Sequence, residues 1–227
     1  MTTIDLAKTS LRDLNQRLHD LPPDTNEREW RIANPRGAHA IAAGLSSPIE
    51  VRIDGHVGYY CAGMNMDATV IVEGHCGWGV AENIMSGLVR VRGNASQSAA
   101  ASGRGGLVVI EGDASARCGI SMKGVDIVVN GSVGHMSAFM AQKGHLVVCG
   151  DAGRDLGDSI YEAILYVRGG IASLGADCVE KEMTPAHVET LGGLLRKSAV
   201  EADAKEFRRY GSARRLYNFH IDNADAV

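Results

Sequence analysis

Five cysteines, a pair of histidines 19 residues apart and a few acidic pairs are the side chains here that could carry chemistry. Thiolates grouped as C-x-x-C would hold zinc or an iron–sulfur cluster. Cys61, Cys76, Cys118, Cys149 and Cys178 show no such spacing. His56 and His75 could share a metal if they were brought together. Asp155 with Asp158, and Glu180 with Glu182, are the carboxylate pairs that acid–base catalysis uses, but no nucleophile or base stands at a fixed distance from them. Gly103, Gly105 and Gly106 have the composition of a phosphate loop. Such a loop delivers its anion to a helix N-terminus, and here an aliphatic strand pattern follows. Met64, Met66, Met85, Met122, Met136 and Met140 suit irregular gaps in a core or interface.

What positions these residues is a repeat. Gly55, Gly74, Gly93, Gly112, Gly131, Gly150 and Gly169 succeed one another at intervals of 19 residues without an insertion. Two residues before each glycine stand Ile53, Val72, Val91, Ile110, Val129, Val148 and Val167. Four before stand Val51, Val70, Val89, Val108, Ile127, Leu146 and Leu165. This is the period-2 spacing of a strand with one buried face. Just after the glycine come His56, His75, Asn94, Asp113, Ser132, Asp151 and Gly170, polar or turn-forming as a solvent-facing corner needs. Seven after it lie only Ala or Gly: Ala62, Ala81, Ala100, Gly119, Ala138, Gly157 and Ala176. A column limited to the smallest residues is expected where backbone approaches backbone.

A lone 19-residue unit cannot fold. It hides a handful of side chains worth about 1.5–3 kcal/mol each, against ~1–2 kcal/mol of backbone entropy per residue. Stacking supplies the rest, because each strand then bonds to the coils above and below it. The fold expected is a single-stranded parallel β-helix of seven coils, right-handed by crossover chirality. Leucine-rich repeats lack their signature here, and propeller blades need units of about 40 residues.

The coils place the candidates. Cys61 and Cys118 share a column three coils apart, about 14 Å at the β spacing. His56 and His75 stack at an exposed corner. Asp158 and Asp177 fall side by side, the one acidic pair on consecutive coils that a flank cleft could use. No constellation meets the geometric requirements of an active site, so no catalytic, cofactor-binding or metal residue is expected in this chain.

Outside the solenoid, assigned to residues 49–181, an N-terminal segment 1–48 carries a helix. Ser10 caps it, Leu11, Leu14, Leu18 and Leu21 form one face, and Pro22-Pro23 ends it. In the C-terminal segment 182–227, Pro185 opens a helix with Val188, Leu191, Leu194 and Leu195, and Val200 to Tyr210 reads as a second, stopped by Gly211. These ends either cap the solenoid or dock on another subunit. The outward column Arg52, Ile71, Arg90, Val109, Val128, Val147 and Tyr166 turns apolar in its last four members, which predicts a cover over the later coils. A net charge of −4 gives no reason to expect nucleic acid, and Arg208, Arg209, Arg214 and Arg215 read as a solvated face or a protein contact. No apolar run approaches the ~20 residues of a membrane span, no signal sequence opens the chain, and unpaired cysteines fit a reducing cytoplasm.

Units such as Gly131-Ser132-Val133-Gly134 and Gly150-Asp151-Ala152-Gly153 resemble the GXGXG β-helix domain of the glutamate synthase large subunit. A related stand-alone subunit occurs in formylmethanofuran dehydrogenase. Four longer runs, residues 58–65, 81–87, 117–124 and 156–163, are similar to the stand-alone, GlxC-like subunit family of N-methylglutamate synthase. So are Leu11-Arg12-Asp13-Leu14-Asn15 and Arg214-Arg215-Leu216-Tyr217-Asn218-Phe219. The resemblance implies a non-catalytic structural subunit in a cytoplasmic heteromeric transferase. Its partners would be a class II glutamine amidotransferase-like subunit and an FMN-binding glutamate synthase-like subunit, the latter with or without an iron–sulfur cluster. Together they would convert methylamine and L-glutamate to N-methyl-L-glutamate and ammonia. The alternative it leaves is an equivalent scaffold in another glutamate-synthase-like or formylmethanofuran dehydrogenase-type complex.

Overall fold

A computed structural model describes residues 1–214. Seven short parallel strands carry the repeat: β3 (Glu50–Ile53), β4 (Thr69–Val72), β5 (Leu88–Val91), β6 (Leu107–Ile110), β7 (Lys123–Val129), β8 (Lys143–Val148) and β9 (Ile164–Val167). Their register matches the columns of the sequence. Val51 faces Val70, Val70 faces Val89, and the ladder continues through Val108, Ile127, Leu146 and Leu165. Gly112 donates its N–H to the carbonyl of Gly93 at 3.1 Å, so the repeated glycines are vertical neighbours. The chain is a single-stranded parallel β-helix, as the repeat predicts.

Two kinds of small residue serve different ends. At the repeated glycine, coil meets coil through the main chain: a Cβ on Gly74 would lie 2.6 Å from the carbonyl carbon of Gly55. The Ala/Gly column seven residues on is constrained otherwise. Ala62, Ala81, Ala100 and Ala138 are fully buried and left-handed, with φ of 53°, 56°, 55° and 57°. What a larger side chain would strike there is other side chains, as at Gly157, where Cβ would come within 2.8 Å of Cys178 Sγ. The residues two before and two after are left-handed as well, Tyr60 and Met64 in the first repeat. The N–H groups then alternate: Tyr60 and Met64 donate to Trp78 and Glu82 of the following coil, while Ala62 donates to Ile41 of the preceding one. This side of each coil is bonded in both directions without forming a β-strand.

The N-terminal segment is more than a helix with irregular flanks. Strands β1 (Thr2–Asp5) and β2 (Glu29–Ala33) continue the same sheet, β1 pairing parallel with β2 and β2 with β3. Between them runs α1 (Leu11–His19), where Ser10 Oγ accepts the Asp13 N–H at 3.1 Å. Leu14 and Leu18 of α1 are buried in the core with Ile32, Ile41 and Leu45, so this helix plugs the first end of the stack.

In the C-terminal segment, α2 (Pro185–Ser198) forms as expected, but the second helix does not. Residues Ala204–Glu206 make one 3₁₀ turn, capped by Asp203, and Arg208–Ser212 is strand β11. It enters the sheet antiparallel between β9 and β10 (Cys178–Lys181), giving eleven strands in the order β1 to β9, β11, β10. The helical spacing of Val200, Ala204, Phe207 and Tyr210 is overridden by the open side of β9, whose backbone groups take β11 as partner. The run from Arg215 to Phe219, and Arg215 of the basic cluster, lie outside the described residues.

The cover over the outward column is internal. Leu191, Leu194 and Leu195 of α2, with Phe207, pack on Val128, Val147 and Tyr166, all three fully buried. Arg90 fastens the far end of the helix: its guanidinium donates to the Ser198 carbonyl at 3.0 Å and to Glu111 at 3.0 Å. A cation at a helix C-terminus is favourably placed against the helix dipole.

Candidate functional site

The corner of the solenoid carries a ladder that spacing alone did not reveal. His56 Nδ1 accepts the N–H of His75 at 2.9 Å, and His75 Nδ1 accepts that of Asn94 at 2.8 Å. Asn94, Asp113, Ser132 and Asp151 repeat the act through their side-chain oxygens, ending at the N–H of Gly170. The polar column is therefore a set of acceptors for main-chain donors that the turn leaves unpaired. The two imidazoles stack with centroids 4.8 Å apart and planes 9° from parallel. Each uses Nδ1 as acceptor and so carries its proton on Nε2; neither Nδ1 is available to a metal.

The five cysteines are free and buried. Burial pushes the thiols of Cys61 and Cys118 up to about 12 and that of Cys178 to about 11, and raises Cys76 and Cys149 as well. A thiol held neutral inside a core is a poor nucleophile and a poor metal ligand. Among the described residues no cluster of three His, Cys, Asp or Glu is arranged to hold a metal ion.

The acidic pair expected on consecutive coils falls out of register, because in the last coil Leu156 pairs with Leu174 and Asp158 stands level with Ala176 rather than with Asp177. Both acids are engaged elsewhere. Asp158 accepts the N–H of Ala176 at 3.2 Å and the hydroxyl of Ser159 at 2.7 Å. Asp177 is ion-paired with Arg214 at 2.6 Å. Asp155 receives a hydrogen bond from Ser173, and Glu180 one from Tyr210. Gly103 and Gly106 lie against neighbouring side chains and main chain, not at a helix N-terminus.

Two features escaped the sequence reading. On the flank of the first coils, His39, Tyr59 and Trp78 stack in succession, 4.4 Å and 5.8 Å between centroids. Tyr59 and Trp78 are each about half exposed (53% and 52%), and Met64, Met66 and Met85 are exposed on the same coils. The second feature lies beside α2. Asp126 accepts a hydrogen bond from His145 Nδ1 at 2.7 Å, and the His145 ring lies parallel to Tyr166 at 6.1 Å. The Tyr166 hydroxyl is buried without a partner among the described residues, and desolvation raises its pKa. Both constellations join residues of adjacent coils, so the 19-residue offset was the signal that could have found them: Tyr59 to Trp78, Asp126 to His145.

No family model matches the sequence. No helix among the described residues is long and apolar enough to cross a membrane. Among curated proteins, Protein GlxC of Rhizobium meliloti (strain 1021) is 61% identical over 227 residues, spanning the whole of both chains. At that identity over the full length, with no gap in coverage to disturb the coil repeat, the chain belongs to the GlxC family.

Proposed function

We propose that this chain is a non-catalytic structural subunit of an N-methylglutamate synthase (methylamine–glutamate N-methyltransferase). In this reading it holds a class II glutamine amidotransferase-like subunit against an FMN-binding glutamate synthase-like subunit. The observation that carries the reading is the state of the candidate reactive groups: thiols neutral in the core, histidines spent as main-chain acceptors, acids paired. A body built from identical coils is well suited to present long flat flanks to neighbours. The stacked Tyr59 and Trp78 with exposed methionines supply the aromatic and Met content typical of interface cores. The flavin chemistry would belong to the synthase-like partner, and the assembly to the cytoplasm.

The test is purification of the tagged chain from its native host, followed by mass spectrometry of the intact assembly. Two larger subunits should accompany it, and N-methylglutamate formation from methylamine and glutamate should require all three. Turnover by the purified chain alone would overturn the reading.

A further inference from the structure

A ridge of like charge runs along the corner that leads into β7 and β8. Arg104, Lys123 and Lys143 are exposed, and none has an ion-pair partner among the described residues. Lys123 and Lys143 are register partners across the two strands, so their backbones lie about 4.8 Å apart. The N–H of Lys123 donates to the Gly103 carbonyl at 2.7 Å, which sets it beside Arg104. Like charges facing each other on adjacent strands are destabilising.

Elsewhere the chain neutralises such stacks. On the outer face of β3 to β6, Arg52 is paired with Glu50 and Glu73, while Arg90 and Arg92 converge on Glu111. The ridge does not follow from a basic composition either, since the net charge is −4. Next to it the register shifts between Lys123 and Asp126. A cavity of about 350 Å³ opens there, and Lys143 and His145 share its lining with the carboxylates of Asp126 and Glu162. Asp126 is already taken by His145, so it does not neutralise the lysines.

We propose that this ridge docks an acidic, extended segment of a partner protein. Three cations in line on successive coils, about 4.8 Å apart at the backbone, can splay on their long side chains to meet carboxylates presented along a strand, where same-side residues recur about every 6.6–6.8 Å. Glu162 ends the strip by repelling acidic residues beyond it. Repulsion that the isolated chain leaves unrelieved is relieved when the segment binds. The proposal rests on the chain being an assembly subunit, but its test uses the purified chain alone. Absence of co-purifying subunits would therefore sink the assembly and leave the peptide result standing.

The probe is a fluorescein-labelled hexaglutamate peptide, titrated against the full chain by anisotropy at low and high salt. Binding should weaken as salt rises. Lys123→Glu should weaken it at least tenfold while the thermal midpoint stays level or rises, because the new carboxylate sits between two cations. Replacing the exposed Arg196 and Lys197 of α2 by serine should leave binding unchanged. No binding by the wild-type chain, equal binding by Lys123→Glu, an equal loss in the α2 variant, or tighter binding of a hexathymidylate would each overturn the docking site.

Discussion

His75 stands between two main-chain bonds: its own N–H goes to His56 Nδ1 and its Nδ1 receives the N–H of Asn94, each one coil away. The corner is thus held by side chains acting as substitutes for the carbonyls a continuous strand would have supplied. The next rung gives the simplest test. Asn94→Ala removes the acceptor for the Asp113 N–H and should lower stability by about 0.5–1.5 kcal/mol. Asn94→Asp keeps the oxygen and should lose less. Urea denaturation of both variants measures the difference.

Tyr166→Phe should be neutral or stabilising. The hydroxyl is buried with no partner among the described residues, and leaving such a group unsatisfied costs about 1–3 kcal/mol. A drop in thermal midpoint would mean that the hydroxyl is bonded after all, most simply through water.

Ala100→Val should be severe. The site is left-handed (φ 55°) and fully buried, so a β-branched side chain meets backbone strain and overpacking together, about 1–3 kcal/mol from each. Ser102→Gly, at a left-handed residue of the same coil that is only partly buried, should be tolerated. Equilibrium unfolding of the two variants separates conformation from packing.

The thiols should be silent in the native state. All five are buried, and iodoacetamide at pH 8 should modify none of them until denaturant is added, as intact mass would show. The linkage has a definite sign. Cys61 and Cys118 are raised from 9.0 to about 12, so their contribution to stability is full below pH 9 and lost as pH climbs toward 12.

Tyr59→Ser combined with Trp78→Ser should leave the fold unchanged, since both rings are half exposed. In the assembly proposed above, the same change should reduce recovery of partner subunits in a pull-down. Unaltered recovery would assign the aromatic stack to solvent.

Most of the architecture was legible because the repeat is unbroken: every strand from β3 to β9 lies where the glycine columns put it. The apolar turn of the outward column at Val128, Val147 and Tyr166 was legible too, and α2 covers it. What the columns could not reveal lay where the period fails. Ile32 pairs with Ile53 at an offset of 21 rather than 19, so β2 fell out of register with the pattern. β11 needed knowledge of a vacant strand edge, which no local spacing encodes. The corner acceptors were visible as polar residues, but their role depends on main-chain donors one coil away.

A stack of parallel coils has no natural length, and two such molecules meeting end to end could template one another into a fibril. β11 interrupts that possibility. It runs against the direction of every coil and occupies the place where the next would have been laid down. With only the four-residue β10 beyond it, that reversed strand makes the object finite.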